Sequence, residues 1–261
     1  MYYGKSYFID DIVRYSPSTY SGNGLNYLIS KNKDYHVLTE TTPMEYSGQQ
    51  SKLRIYSNNN YESDSKPSKT YYFTPKIFLK PSRRETPIIS TTEQVRELIN
   101  ETFLLMLKKE LSQNISINVC TKEELKQMHS RFGSWSDGIQ GFAINSKKLK
   151  QIFVKNNHLD ELMLTIGHEI GHVYTSSLAN SHDEEAKAFS FAMEWAKTIK
   201  SNNIGNLAEN IKDDIDFQPA RNGLHDLAFF FVKKLMNNGL KPMEIHNNLV
   251  KKYISLFGFY N

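Results

Sequence analysis

An α+β fold, strands first and helices last, is what this sequence predicts, and three observations predict it. Short strand-like segments occupy the middle of the chain, at 115–119, where apolar and polar residues alternate, and at 139–144 and 151–154. From Leu159 onward the apolar residues recur at helical spacing in five successive stretches. Segregated strands and helices point to α+β packing rather than to alternating βαβ units. The chain has 261 residues, enough for one or two domains with a substantial core.

The chain divides near residue 88. Residues 1–88 carry turn clusters (Ser21-Gly-Asn-Gly24, Asn58-Asn-Asn60, Ser63-Asp-Ser-Lys-Pro67) between short Tyr- and β-branched-rich pieces at 35–39, 52–56 and 70–74. That texture predicts a β-rich N-terminal region of unknown role. Pro75, Pro81 and Pro87 make the approach to residue 88 a plausible linker. Residues 89–261 form the second domain.

Its elements follow in order. Ser90-Thr-Thr-Glu93 has the spacing of a capping box, and Val95, Leu98, Ile99, Thr102, Phe103 and Met106 then line one helical face. Ile115 to Val119 alternates and predicts a strand. Thr121-Lys-Glu-Glu124 is a second capping box, opening a helix to about Ser130. The segments 139–144 and 151–154 predict a hairpin-like pair of strands. Helices are expected over 159–179, 183–200, 204–214, 219–237 and 242–256, with Pro219 and Pro242 at the first helical position of the last two.

Composition excludes several classes. Lys+Arg is 32 against Asp+Glu 28, a net charge of +4 with no run of like charges, which argues against a nucleic-acid partner. No apolar stretch approaches the roughly 20 residues of a membrane span. No basic stretch leads into an apolar one at the N-terminus, so a cytoplasmic location is expected. The lone Cys120 cannot form an internal disulfide and is expected as a buried strand residue.

The chemistry concentrates in the helix from Leu159. Thr165-Ile-Gly-His-Glu-Ile-Gly-His-Val173 contains His168-Glu169-x-x-His172. Residues i and i+4 share a helical face, so two imidazoles can offer nitrogens to one Zn²⁺. Glu169, next to the first ligand, is placed to act on a metal-bound water as general base. A catalytic zinc needs a third protein ligand and an open position. The metzincin pattern fails, because Leu178 stands where its third His belongs and Thr175 where its Gly belongs. In Ser181-His-Asp-Glu-Glu-Ala-Lys-Ala-Phe-Ser-Phe-Ala192, Glu185 is favoured as the third ligand. The small Ala188 and Ala192 on its face permit close approach to the His helix. Glu184, His182 and Asp183 remain alternatives, and Asp183 and Glu184 could equally serve the helix N-terminus.

With these residues in view, the sequence resembles the gluzincin metallopeptidases, and more narrowly the ImmA/IrrE-type peptidases and archaeal minigluzincins. The similarity rests on Gly141-Phe-Ala143, Ile152-Phe-Val-Lys-Asn156, Thr165 to His172, and Glu185-x-x-Ala188-x-x-Phe191-Ala192. It implies a zincin-like catalytic domain, Zn²⁺ on His168, His172 and Glu185, Glu169 as base, and a peptide or protein substrate. By the same resemblance, His225 is a candidate for stabilising the developing oxyanion, with Tyr174 and Arg221 as weaker candidates. The zincin plan also implies an edge strand above the active-site helix, for which 139–155 is the candidate. The resemblance leaves the carboxylate that orients a ligating His unassigned, since Phe189 stands where such families often have Asn or Asp. The expected function is therefore zinc-dependent endopeptidase. The alternative is a zinc-stabilised binding or regulatory module, a pseudo-protease or transcription-linked regulator, without turnover.

Overall fold

The computed structural model describes residues 73–146, 150–215 and 223–257. Contacts divide the chain after Ser68, and every described residue belongs to the unit Lys69–Asn261. The strands expected at 35–39 and 52–56, and most of 70–74, lie outside the described residues.

The first part of the stretch expected as a linker is instead buried, while most of 81–88 is exposed. Phe73, Ile77, Phe78 and Leu79 are in the core, around a 3-10 helix at Pro75–Phe78. Pro75 is buried among apolar residues, whereas Pro81 and Pro87 flank an exposed polar run, so proline content alone did not separate the two parts. Strand β1 (Ile88–Ile89) pairs antiparallel with β5 (Asn157–His158). Arg83 reinforces the join, donating from Nε to Asp160 Oδ2 at 2.7 Å and from Nη2 to Glu161 Oε1 at 2.6 Å. Asp160 also accepts from Thr86 Oγ1 at 3.1 Å and Asn210 Nδ2 at 3.0 Å.

The fold is α+β. A three-stranded sheet has the order β2-β4-β3. Strand β2 (Ile115–Cys120) runs parallel to β4 (Lys150–Lys155), and β3 (Gly141–Asn145) runs antiparallel to β4, with Phe142 opposite Phe153. Helix α1 (Glu93–Leu107) buries Val95, Ile99, Thr102 and Phe103. Its capping box does not form. Gln94 Oε1 accepts from the Ser90 and Thr91 amides at 2.8 and 3.0 Å. The Thr92 hydroxyl is turned to β2, donating to Ile117 O and accepting from Val119 N. Tertiary bonding has displaced the local cap. In α2 (Lys122–His129) the box forms in full, with Thr121 and Glu124 bonded reciprocally.

Helix α3 (Leu159–Val173) is central and buried almost all round. It ends earlier than expected, because the run Tyr174 to Ser177 favours helix poorly and its last carbonyls are taken by side chains. Asn145 Nδ2 donates to His172 O and Thr175 O, both at 2.7 Å, and Lys150 Nζ donates to Val173 O. Helix α4 (Ser181–Asn202) starts two residues before expectation. Asn180 caps it, its side-chain oxygen accepting from the His182 and Asp183 amides. No continuous helix spans 204–214. Two short 3-10 helices, Ile204–Asn206 and Ala208–Asn210, stand there, because Asn203, Gly205 and Asn206 all take positive φ. Helix α5 covers Leu224–Asn237, and the proposed start at Pro219 lies outside the described residues. Helix α6 (Pro242–Val250) begins at proline as expected and stops short of 256, where Lys252 adopts φ 58.

Glycine explains how closely α3 and α4 pack. A Cβ on Gly171 would lie 2.8 Å from Ala188 Cα, and one on Gly167 would lie 2.4 Å from Trp195 Cδ1. The indole is itself fixed by its N–H donating to Met163 O at 2.9 Å. Among the described residues no helix is long and apolar enough to cross a membrane.

Candidate metal centre and cleft

The close α3–α4 contact sets the site. His168 and His172 stand one turn apart on α3, and Glu185, near the start of α4, is carried to them by the glycine–alanine contact one turn further on. Its carboxylate lies at the centre. Oε2 is 3.4 Å from His168 Nε2 and 3.2 Å from His225 Nε2, and Oε1 is 3.8 Å from His172 Nε2. Donor atoms of His168, Glu185 and His225 all fall within 4.8 Å of one another. His172 stands just outside that group, on the other carboxylate oxygen.

These distances fit a cation. Two donors about 2.1 Å from a tetrahedral Zn²⁺ are about 3.4 Å apart. Glu185 Oε2 is fully buried and faces the Nε2 atoms of His168 and His225. The donor set of imidazole and carboxylate suits zinc.

Electrostatics within the cluster are strongly coupled. Burial resists charge on Glu185, but His172 and His225 beside it, with hydrogen bonding from His168 and His225, hold its carboxyl well below the usual range. Burial likewise resists protonation of His172, yet Glu185, Glu184 and Glu169 together raise it to about 9. Burial pushes His168 down to about 4. Phe73 adds to that apolar setting, stacked on the His168 ring at 4.1 Å and 14°. Glu169 is buried, lines the cleft, and is raised by burial to about 7 against the pull of His172 and His225.

The residue that the sequence left unassigned is Glu184. Its Oε1 lies 3.0 Å from His172 Nδ1, and its Oε2 accepts from Leu178 N at 2.7 Å. A carboxylate on the far nitrogen fixes the ring and its tautomer, leaving Nε2 for a ligand. Glu184 is held in turn by Lys187, whose Nζ is 2.9 Å from Oε1. That ammonium is completely buried and also donates to His172 O at 3.2 Å and Ser176 O at 3.1 Å. The only signal in the sequence was the adjacency of two glutamates. Neither spacing nor hydropathy says which of them points at which nitrogen.

The other candidates stand elsewhere. Asp183 accepts from Ser255 Oγ and Leu256 N, both at 2.7 Å, anchoring the C-terminal segment. His182 packs edge-on against Phe257. Tyr174 is half-buried, packed against Phe103, Phe191 and His246. Cys120 is buried and free, packed with Leu125, Ile139 and Phe153. Arg221 is outside the described residues. Trp135 stands behind His129, its ring 6.0 Å away, and it is His129 that reaches the cleft.

The cleft has a volume of about 520 Å³. It is lined by the cluster residues with Glu169, by Gly141, Phe142, Ala143 and Asn145 of β3, and by Leu224 and His225 of α5. β3 is the last strand of its sheet, so among the described residues only one of its edges is paired. No match to this chain was found among protein-family models, characterised proteins or solved structures.

Proposed function

We propose that this chain is a zinc-dependent endopeptidase with a zincin-like arrangement of strand edge and active-site helix. The observation that carries the reading is the convergence of His168, His172 and Glu185 beside a buried Glu169, in a cleft bordered by a sheet edge. His168, His172 and Glu185 would hold the metal. Bound zinc supplies Lewis acidity and lowers the pKa of water toward neutrality.

The chain's own residues account for the remainder. Glu169, buried and lining the cleft beside the cluster, is placed to take a proton from water and return it to a leaving amine. Glu184 and Lys187 hold the His172 ring in one orientation. His225 can donate from Nε2 to the oxyanion of a tetrahedral intermediate. An extended substrate segment can add to β3 through main-chain hydrogen bonds.

A second reading has one observation in its favour. His225 Nε2 is as near to Glu185 as the helical histidines are, so it could serve as a fourth donor and close the site. A closed site belongs to a zinc-stabilised binding or regulatory module. The test compares wild type and Glu169→Gln at matched zinc occupancy on a diverse peptide library. The peptidase reading expects about one zinc per chain in both, and hydrolysis reduced by roughly 10²–10⁴-fold in the variant. Equal hydrolysis, or none by the zinc-loaded wild type, would overturn it.

A further inference from the structure

The β3 strand has two faces, and only one belongs to the metal cluster. Gly141, Ala143 and Asn145 share the face toward α3. A Cβ on Gly141 would meet Thr165 Cγ2 at 3.1 Å, and Asn145 bonds the end of α3. Phe142 and Ile144 alternate to the other face. There Phe142 is stacked on Phe153 at 5.1 Å, meets His129 edge-on at 5.2 Å, and has Phe132 at 6.2 Å. His129 and Phe142 both line the same cleft as His168, so this aromatic group continues the cleft around the open edge of β3. Phe132 is 63% exposed, one of few large apolar side chains so placed among the described residues. His129 Nδ1 is buried without a hydrogen-bond partner.

We propose that the His129–Phe132–Phe142 shelf is a specificity subsite that accepts an aromatic or large aliphatic side chain of an extended peptide lying along β3. The inference rests on the reading that the cleft takes an extended peptide, and it names the class of peptide. A strand added to β3 alternates as β3 does. Every second side chain of the peptide therefore falls on the face of Phe142, while its neighbours point to α3 and the cluster. An aromatic side chain there finds the edge of Phe142 and the exposed face of Phe132, the arrangement that aromatic pairs favour. A carboxylate there would be desolvated against the rings of His129, Phe132 and Phe142.

The experiment measures binding, so it requires no turnover. Fluorescein-labelled octapeptides of one parent sequence are scanned position by position with Phe, Leu, Ala and Asp, and titrated by anisotropy against the full-length Glu169→Gln chain. At one position, or at positions two apart, Phe and Leu should bind roughly tenfold or more tighter than Ala and Asp. The preference should fall to within about threefold in Phe132→Ser and be weakened in His129→Gln. Phe132 is exposed, so its replacement should leave the melting temperature nearly unchanged. Absence of any binding, absence of a position preferring Phe and Leu, or a preference intact in both variants would overturn the inference. Hydrolysis by the wild type is scored separately. Cleavage without the preference leaves the peptidase reading standing and removes this subsite. The preference without cleavage keeps the subsite and removes the peptidase reading.

Discussion

Replacing Gly171 by Ala tests whether the backbone contact between α3 and α4 is what places Glu185. The added Cβ would stand 2.8 Å from Ala188 Cα and 2.9 Å from both Ala188 O and Phe191 Cβ. Those are backbone and Cβ atoms, which cannot rotate away. The nearest is about 0.6 Å inside the 3.4 Å at which ordinary contact begins, so α4 must shift by about that amount. Two stability effects oppose each other. Alanine in a helix interior is favoured over glycine by about 1 kcal/mol, and overpacking costs about 1–3 kcal/mol. The net loss is then about 0–2 kcal/mol, and the chain should still fold. The effect on the metal is less forgiving. Ala188 is one turn beyond Glu185 on the same face, so the displacement reaches the carboxylate nearly undiminished, and metal–donor distances tolerate only about 0.2 Å. Zinc affinity should fall at least about tenfold, the order seen when a ligand's orienting partner is lost. The assay is competition with a chromophoric chelator, alongside thermal unfolding with and without zinc. Gly133→Ala is the control, since a Cβ there meets only His129 Cε1, at 3.6 Å. Unchanged zinc affinity in Gly171→Ala would refute the argument that this contact positions the ligand.

Three further outcomes are expected. Glu184→Gln should weaken zinc binding about 10–100-fold by loosening His172, and Glu185→Ala should weaken it more, because one removes an orienting carboxylate and the other a donor; the same chelator competition decides the order, and the reverse order would exchange the two roles. Arg83→Met should cost about 3 kcal/mol in urea unfolding. That is the low end for breaking a buried ion pair, since Arg83 is 21% exposed and Asp160 keeps Thr86 and Asn210; a loss below about 1 kcal/mol would show that the clamp is not energetic. His246 supplies an acid-side dependence. It is completely buried, donates from Nδ1 to Lys187 O, and burial pushes it down to about 4 from 6.5. Its contribution is therefore complete above pH 6.5 and is lost as pH falls toward 4, where only the unfolded chain takes up the proton. The loss is about 1.4 kcal/mol per pH unit, about 3 kcal/mol in all. His246→Leu should flatten that part of the stability profile by one proton, and identical profiles would contradict the assignment.

What the sequence made legible was local. The His168–His172 pair, the Thr121 capping box, the alternation of β2 and the proline start of α6 all depend on residues within a turn of each other, where period and capping chemistry decide. The misreadings share the opposite property. The cap expected from Ser90 does not form, and the Thr92 hydroxyl beside it bonds a strand 25 residues away. The 204–214 stretch kept helical spacing, but Gly205 and Asn206 within it and Asn203 just before it accept positive φ and let the chain turn back. The approach to residue 88 looked like a linker because of Pro75, Pro81 and Pro87, yet Phe73, Phe78 and Leu79 are buried, with Phe73 stacked on His168 of α3. Glu184 belongs to the same class. Its role exists only once α4 is laid on α3, and nothing along the chain marks it apart from Glu185.

The side-chain ties at the end of α3 have a mechanical consequence. Asn145 and Lys150 rivet the hairpin of β3 and β4 to the carbonyls of the very turn that carries His172. The edge strand and the ligand helix thus form one stiff jaw, whose surface cannot slide relative to the cluster without breaking several bonds at once. Any breathing that widens the cleft must come from the opposing side, where α5 carries His225 and where Phe73 lies across the His168 ring. Amide exchange should accordingly be slowest through 141–145 and 159–173 and faster at the start of α5, so that a guest would be measured against a fixed ruler and gripped by a moving thumb.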